Sequence, residues 1–224
     1  MKKLYPKYPL IIRQQHLFAD LGEGPTALVD TGCPSSFGSL PPGVANPEPP
    51  NLISGVRRYL GDDVRGLLGM DWLGRSDFEI DLRNGDSGTL SVQEGLSGHV
   101  RAEIPRTDCV IERTPYRAAL DTGAQYGYVV GDLPGEDEHP VDATDYTLLN
   151  PAGVEFSCTL HKLKVECQGT TAVCRLSKSP DIVSRALSFY GIPVILGLDF
   201  FIGRRVRWHR HDGSVTVLGD GPAA

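Results

Sequence analysis

The residues of this chain that are best suited to chemistry belong to one short motif that occurs twice. Asp-Thr-Gly follows three apolar residues each time, at Asp30, Thr31, Gly32 and at Asp121, Thr122, Gly123. By composition, one such triplet is expected by chance in roughly a few per cent of chains of this length, so two copies argue against coincidence. Each apolar run predicts a buried strand that brings an aspartate to a turn, where glycine permits a close approach of backbones.

The chemistry that the two aspartates offer depends on whether their loops meet. If they meet, two carboxyl groups about 3 Å apart cannot both ionise, and they share one proton. One carboxylate then acts as a general base on a water molecule, and the other carboxyl acts as a general acid towards a carbonyl group. The pair Asp30 and Asp121 therefore predicts hydrolysis by an activated water, with no metal and no cofactor.

A second element repeats downstream of each triplet and would help to position the aspartates. Two apolar residues and a glycine occur at Leu67, Leu68, Gly69 and again at Ile195, Leu196, Gly197. With both elements in the same order in each half, nearly the whole chain resembles an aspartic protease of the retropepsin and pepsin kind, with two homologous halves fused in one polypeptide. In that family the apolar strand lies beside the Asp-Thr-Gly loop, and its glycine lets the two backbones touch.

The resemblance implies a fold and a role for each residue of the motif. The fold would be all-β and bilobal, with two pseudo-symmetric, barrel-like lobes and short helices. Asp30 and Asp121 would be the catalytic pair. The residues that support the pair would be the rest of the two triplets, Thr31, Gly32, Thr122 and Gly123. The threonines would hydrogen-bond across the two loops, and the glycines would place backbone N–H groups near the carboxylate oxygens.

The implied activity is that of an aspartic endopeptidase. Its partner would be a peptide or protein substrate that lies extended between the lobes and pairs through backbone hydrogen bonds. A retropepsin needs two chains to bring two triplets together, whereas this chain contains both. We therefore expect a monomer, with the two halves forming an intramolecular pseudo-dimer.

The residues that follow the two triplets bear on the pH of the reaction. Pepsin-like members have Ser or Thr at these positions, and a hydroxyl donor stabilises the ionised aspartate. This chain has Cys33 and Ala124 instead. We expect a rate optimum at weakly acid to neutral pH, and a rate that peaks below about pH 3 would contradict this, since the ordinary pKa of Asp is about 3.9.

The predicted elements occur in the same order in the two halves, and Asp121 follows Asp30 by 91 residues. Each half has an opening strand, here residues 8–20 and 99–105, and then the strand that precedes the triplet. A short helix, the apolar strand with its glycine and a final hairpin follow. The helices are predicted at residues 51–60, with Asn51 as a cap, and at residues 180–190, with Ser179 as the cap and Pro180 at the first helical position. We place an N-terminal lobe at residues 1–97 and a C-terminal lobe at residues 98–224.

The halves differ in the segment between the triplet and the apolar strand. Asp30 and Gly69 are 39 residues apart, whereas Asp121 and Gly197 are 76 residues apart. The 37 extra residues fall at about 141–178, where alternating strands and turns predict hairpins. In the family, this segment contains the flap that closes over the substrate. We expect a single flap from the C-terminal half, unlike the pepsin-like enzymes, with substrate-binding residues at Leu149, Asn150, Gly153 and Val154.

Composition excludes several other classes of protein. The net charge of −6 argues against nucleic acid as a partner. No apolar run approaches the 18–20 or so residues of a membrane span. Five cysteines in a chain of 224 residues are too few for a disulfide-rich secreted domain. The apolar run near the start is too short for a signal peptide, so we expect reduced thiols and a cytoplasmic location.

Other residues with chemical potential are better explained by structural roles. Cys158, Cys167 and Cys174 lack the spacing of a CxxC metal site, so free thiols on neighbouring hairpin strands are predicted, with a redox link between flap strands as the alternative. His209 and His211 alternate and are predicted to share the face of a strand, which indicates a solvated face and not a metal site. The aspartates that follow the apolar strands, Asp71 and Asp199, are predicted to pair with an arginine or to cap a turn.

Two alternatives to a single-chain enzyme stay open at this point. An inactive relative of the same fold would bind peptides or proteins without cleaving them, and it would tolerate Asn in place of Asp30 or Asp121. Alternatively, the two lobes do not face each other, and each pairs with a lobe of another chain. The mass of the active species distinguishes this second alternative from a monomer.

Overall fold

The computed structural model describes residues 6–22, 24–40, 50–93, 103–135, 139–147 and 153–219, and the protein is mostly β. Its strands are β1 (Lys7–Arg13), β2 (His16–Asp20), β3 (Pro25–Val29), β4 (Phe37–Gly38), β5 (Gly66–Leu68), β6 (Phe78–Asp81), β7 (Ser87–Val92), β8 (Arg106–Ile111), β9 (Thr114–Leu120), β10 (Gly127–Val129), β11 (Val141–Thr147), β12 (Val154–Cys167), β13 (Thr170–Lys178), β14 (Val194–Leu196), β15 (Arg204–Trp208) and β16 (Val215–Gly219). Its helices are α1 (Pro50–Leu60), α2 (Met70–Leu73), α3 (Asp181–Phe189) and α4 (Leu198–Phe201).

Nine strands form the larger sheet, in the order β16-β15-β6-β7-β1-β2-β3-β5-β4. Most of its neighbours are antiparallel, but β3 and β5 are parallel, with the chain between them passing through β4 and α1. The hairpin of β1 and β2 turns at Gln14 and Gln15, which both have positive φ angles. None of the helices in the described part of the chain has the length and hydropathy needed to cross a membrane.

The second sheet contains β8 to β14 and curls into a barrel. Its order is β11-β12-β13-β10-β14-β9-β8, and an additional pairing of β12 with β8 joins its ends. Six strands are therefore closed on themselves, and β11 lies outside the ring on β12. The 14 residues of β12 make this possible, because the first half of the strand pairs with β11 and the second half pairs with β13.

The last hairpin of the chain joins the sheet of the first half. β15 pairs antiparallel with β6, so β15 and β16 extend the nine-stranded sheet and are not part of the barrel. The predicted division between residues 97 and 98 lies outside the described residues. It separates the two triplets in sequence, but it does not separate the two sheets.

One hydrophobic core contains residues of both halves. Val29 and Leu120, which directly precede the two aspartates, belong to the same buried cluster as Leu68, Leu196 and Trp208. The exposed fraction of each of these side chains is 1% or less. Burial of such aliphatic and aromatic side chains stabilises the fold by about 1.5–3 kcal/mol each. The strands that hold the two triplets are thus packed into a common interior.

Most of the predicted elements are confirmed, and four details are wrong. The opening strand predicted at residues 8–20 is a hairpin of two strands, β1 and β2. The helix at residues 51–60 is α1, and Gly61 ends it with a φ of +104°. The strand predicted at 99–105 is wrong within the described residues, because β8 begins at Arg106. The cap of α3 is Pro180, and not the serine before it. His209 lies beyond the end of β15, in the turn to β16, so it does not share a strand face with His211.

Candidate active site

Parallel strand pairs bring the two aspartates into equivalent positions. β3 lies beside β5, and β9 lies beside β14. Directly after these pairs, the N–H of Asp30 donates to the carbonyl of Leu68, and the N–H of Asp121 donates to the carbonyl of Leu196, each at 3.0 Å. Each apolar run therefore ends in a backbone hydrogen bond that determines where its aspartate enters the loop.

Glycine is required where the apolar strands pass the two loops. A Cβ atom at Gly69 would lie 2.6 Å from the backbone of Ser35, and one at Gly197 would lie 2.3 Å from the carbonyl oxygen of Tyr126. These distances are shorter than van der Waals contact, so any larger residue would push the strand away from the loop. The predicted close approach of the backbones is confirmed in both halves.

The threonines of the two triplets hydrogen-bond to each other across the halves. The N–H of Thr31 donates to Oγ1 of Thr122 at 3.1 Å, and the N–H of Thr122 donates to Oγ1 of Thr31 at 3.0 Å. Each hydroxyl then donates to a carbonyl of the opposite strand, Leu120 at 2.8 Å and Val29 at 2.7 Å. Because both threonines are buried, this reciprocal set of bonds holds the two loops against each other.

The two carboxyl groups meet at this junction. The carboxyl groups of Asp30 and Asp121 are close enough for each to shift the pKa of the other. A Cβ atom at Gly32 would lie 2.2 Å from Cγ of Asp121, and one at Gly123 would lie 2.3 Å from Cγ of Asp30. The N–H of each glycine donates to the aspartate of its own triplet at 2.9 Å. The glycines thus supply N–H donors and leave the space that the opposite carboxyl occupies.

The environment of the carboxyl pair favours protonation. Burial raises the pKa of Asp30 well above its ordinary value, and the charge of Asp121 raises it further. Burial also raises the pKa of Asp121, although the amides of Gly123, Ala124 and Gly32 partly offset this. Two interacting carboxyls titrate as a pair, and the proton that they share is retained to a higher pH than the proton of a carboxyl in water. The arrangement can hold one proton and one negative charge.

Neither residue that follows a triplet donates a side-chain hydrogen bond to the pair. The thiol of Cys33 donates to the carbonyl of Ser35 at 3.2 Å, and burial raises its pKa, with a smaller effect from the charge of Asp30. The thiol is therefore protonated and neutral. At Ala124 the only donor is the backbone N–H, which lies 3.3 Å from Oδ1 of Asp121. The expectation of a less acidic carboxyl pair is consistent with this geometry.

The segment at residues 141–178 contains the hairpins that its alternating pattern predicts. β11 and the first half of β12 form an antiparallel hairpin, which we call the flap hairpin, with Val154 opposite Thr147. Gly153 precedes β12 and has a φ of +70°. The predicted flap residues Leu149 and Asn150 lie outside the described residues.

The flap hairpin contacts the N-terminal half of the chain. The ring of Tyr146 stacks on that of Tyr59 of α1, with centroids 4.3 Å apart and an interplanar angle of 6°. Oη of Tyr146 lies 3.3 Å from Nε2 of His16. A Cβ atom at Gly153 would lie 2.8 Å from the ring of Tyr59. The hairpin therefore extends from the C-terminal half across to α1 and β2.

A cavity of about 320 Å³ lies between the carboxyl pair and the flap hairpin. Its walls combine Asp30 and Asp121 with apolar side chains, among them Leu28, Phe37, Phe156, Val183 and Ile195. Tyr146, Thr147 and Asp145 of the flap hairpin line the opposite side, together with Tyr128 of β10. The cavity thus places two reactive carboxyls in a largely apolar space that is partly covered by a hairpin.

Asp71 and Asp199 have structural partners, as predicted. Oδ1 of Asp71 accepts hydrogen bonds from the N–H and the hydroxyl of Ser36, at 2.6 and 2.5 Å. Asp199 forms a two-point ion pair with Arg175, at 2.7 Å to Nε and 2.6 Å to Nη2. Both aspartates therefore brace the loops and strands around the site.

The thiols of the second half are free, as predicted, and lie on neighbouring strands. Cys158 and Cys167 are on β12, and Cys174 is on β13. Within the residues that the structure describes, no cluster of three or more His, Cys, Asp or Glu side chains has the geometry of a metal site.

The sequence did not identify Asp145 and Tyr146, which line the cavity, or His16 and Tyr59, which contact Tyr146. Their positions depend on contacts between distant parts of the chain, such as the 130 residues that separate His16 from Tyr146. The only signal in the sequence is an acidic residue and an aromatic residue at adjacent positions of the predicted flap strand.

No protein-family model matches the chain, and no curated protein matches it.

Proposed function

We propose that the chain is an aspartic endopeptidase whose catalytic residues are Asp30 and Asp121. The observation that carries this proposal is the meeting of two carboxyl groups across the two Asp-Thr-Gly loops, tied together by reciprocal threonine hydrogen bonds. A carboxyl pair that retains one proton contains both a general base and a general acid. The fold that accompanies the proposal is the bilobal acid-protease fold.

The proposed reaction begins with a water molecule between the carboxyls. The ionised carboxylate removes a proton from this water while the oxygen attacks the peptide carbonyl, and the protonated carboxyl donates its proton to the carbonyl oxygen. The tetrahedral intermediate then loses the amine, which receives a proton from the pair. Three amides stabilise the ionised form of Asp121, so we assign the base to Asp121 and the acid to Asp30.

The substrate lies extended in the cavity between the carboxyl pair and the flap hairpin. An extended peptide can pair its backbone with a hairpin strand, and apolar walls favour burial of its side chains. Since one chain contributes both carboxyls, the active species is a monomer. Sedimentation of an active preparation is expected to give the mass of one chain, and activity found only in a dimer would contradict this.

Cleavage of a mixed peptide library between pH 3 and 8 tests the proposal directly. Wild-type protein should cut at weakly acid to neutral pH, while Asp30→Asn and Asp121→Asn should each lower the rate by at least about 10²-fold, because general acid–base catalysis contributes about 10²–10⁴-fold. Asp86→Asn, which removes an exposed carboxyl between β6 and β7, is the matched control.

A statine-type mimic of the tetrahedral intermediate separates the outcomes of this test. Inhibition of wild-type cleavage by the mimic supports a shared carboxyl pair. Cleavage that is not slowed in either Asn variant would come from another protease and would contradict the proposal. A folded wild-type protein that neither cuts nor binds the mimic would favour a peptide-binding module on the same fold.

A further inference from the structure

A third carboxyl group lines the cavity that contains Asp30 and Asp121. Asp145 lies on β11 of the flap hairpin, and the exposed fraction of its side chain is 6%. It forms part of the cavity wall beside Tyr128 and Tyr146. The proposed reaction does not use this carboxyl, so its position in the cleft needs a separate explanation.

Neutral donors hold the Asp145 carboxyl in place. The hydroxyl of Tyr128 donates to Oδ2, and the N–H of Tyr146 donates to Oδ1 at 2.7 Å. These bonds orient both oxygens without cancelling a negative charge, and each carboxylate oxygen can accept a further hydrogen bond. Among the described residues that line the cavity, none is Lys, Arg or His. The protein therefore supplies the cavity wall with an oriented carboxyl and no cation.

The charge of the cleft follows from this composition. The catalytic pair holds one negative charge when it shares a proton, and an ionised Asp145 adds a second one in a space with apolar walls. A carboxylate in such surroundings is costly unless an opposite charge pairs with it. A substrate side chain can bring that opposite charge, and in a water-poor cavity the resulting attraction exceeds that of a surface ion pair.

We infer that Asp145 makes this cleft select peptides with a cationic side chain, lysine or arginine, next to the bond that is cleaved. The inference rests on the proposed function and names its substrate class. The ammonium or guanidinium group would donate to the free lone pairs of Asp145, while the apolar part of the same side chain would lie against the apolar wall.

The selectivity should depend on pH. Burial raises the pKa of Asp145, the hydrogen bonds from Tyr128 and Tyr146 partly offset this, and the charge of Asp121 adds to the rise. Tyr126, Tyr128, Tyr146 and Cys158 also lie around Asp145, and burial raises the pKa of each, so these four groups stay neutral across the working range. Glu155 is a further carboxyl near Asp145, because the two residues line the same small pocket beside Tyr59. Lysine stays cationic throughout that range. Preference for lysine is therefore weak at low pH, where Asp145 is protonated, and grows as Asp145 ionises.

Matched peptides that differ in one side chain test the inference. Lysine and norleucine, which share the same linear apolar chain and differ in the terminal ammonium, are placed at each position flanking the scissile bond, and kcat/KM is measured between pH 4 and 8. We expect wild-type protein to prefer lysine at one position by about tenfold near neutral pH, the effect of one charge-assisted hydrogen bond. The preference should shrink as the pH falls.

Two variants at the same strand separate a specific role from a general charge effect. Asp145→Asn retains a side chain that can bond both Tyr128 and the N–H of Tyr146, and its lysine-to-norleucine ratio should fall to about one at every pH. Asp142→Asn removes an exposed carboxyl of β11, three residues away on the other face, and it should keep the wild-type ratio.

The wild-type ratio decides the question even if Asp145→Asn does not fold. A ratio near one at all pH values, with norleucine peptides cleaved and Asp30→Asn inactive, would overturn the inference and leave the proposed function intact. A lysine preference that Asp145→Asn retains would also overturn it. If no peptide is cleaved at any pH, the proposed function fails and this inference fails with it.

Discussion

At Asp30 and Asp121, burial raises the pKa of a carboxyl pair and makes ionisation of the pair costly to the fold. Protein atoms surround both groups except on the side of the cavity, and burial raises the pKa of each. A raised pKa means that the folded state binds protons more tightly than the unfolded chain does. The property that suits the pair for acid–base chemistry therefore lowers the free energy of unfolding when the pH rises.

The stability of the wild-type protein should fall relative to Asp30→Asn as the pH rises from about 4 to 8. A carboxyl whose folded pKa exceeds its value of 3.8 in the unfolded chain contributes stability below that value, and this contribution is lost as the pH rises through the folded pKa. Asparagine does not titrate, so the variant lacks this loss. Melting temperatures at pH 4, 6 and 8 measure the effect, and a difference that stays constant with pH would contradict it.

At the scale of elements, the flap hairpin and α1 form a contact between the two halves. Tyr146 stacks on Tyr59, and its hydroxyl lies 3.3 Å from Nε2 of His16. Nδ1 of His16 donates to the carbonyl of Gln14 at 2.8 Å, so Nε2 accepts from the tyrosine hydroxyl. Burial lowers the pKa of His16, which is consistent with a neutral ring. The stack keeps the hairpin over the cavity.

Loss of the stacked ring should weaken substrate binding more than it slows the chemical step. We expect Tyr59→Ala to raise KM by up to about tenfold, because aromatic pairs contribute about 0.5–1.5 kcal/mol. Tyr59→Phe retains the ring, so its KM should stay closer to that of the wild type. Steady-state kinetics on a single peptide measures both variants. A fall in kcat with unchanged KM in Tyr59→Ala would show that the stack acts on catalysis instead.

At the scale of the whole molecule, equivalent positions of the two halves meet in an ion pair between Glu79 and Arg207. Glu79 and Arg207 each follow the glycine of their apolar strand by ten residues, and they lie opposite each other where β6 pairs with β15. Nη2 of Arg207 is 2.7 Å from Oε2 of Glu79, and Nε of Arg205 is 4.0 Å from the same oxygen. Two identical chains would place identical residues at this position, whereas a fused chain can place opposite charges there.

Reversal of one charge of this ion pair should destabilise the pairing of β6 with β15. We expect Arg207→Glu to lower the free energy of unfolding by about 1 kcal/mol, since partly exposed ion pairs contribute about 0.2–1 kcal/mol and like charges repel. Exchange of both residues, Glu79→Arg with Arg207→Glu, should restore only part of this loss because Arg205 stays nearby. Urea unfolding of Arg207→Glu, of Glu79→Arg and of the double variant completes a double-mutant cycle, and strictly additive effects would exclude a direct interaction.

Local patterns account for the parts of the fold that were predicted correctly. An apolar run before Asp-Thr-Gly predicts a buried strand that ends in a loop, and the turn at Gln168 and Gly169 connects two alternating strands, because strand pairing and positive φ angles are properties of a few adjacent residues. The glycines at positions 69 and 197 were predicted from the repeated motif, although the backbones that require them, at Ser35 and Tyr126, are distant in sequence.

Long-range contacts account for what the sequence did not predict. β15 could have paired within the second half, but its partner is β6 of the first half, and the barrel closes through the pairing of β12 with β8. The sequence of a strand does not determine its partner, since any alternating strand can pair with several others. The same reasoning applies to Asp145, which lines the cavity only because the flap hairpin folds over it.

The sequence by itself therefore determined which residues have chemical potential: the two triplets, the two apolar strands with their glycines and the inserted hairpin segment. Tertiary structure alone decided that the triplets of one chain meet, that Tyr59 and His16 contact the flap hairpin, and that a third carboxyl lines the same cavity. The physical reason is that backbone geometry and residue type are local, whereas burial, proton sharing and charge balance depend on which distant residues are brought together.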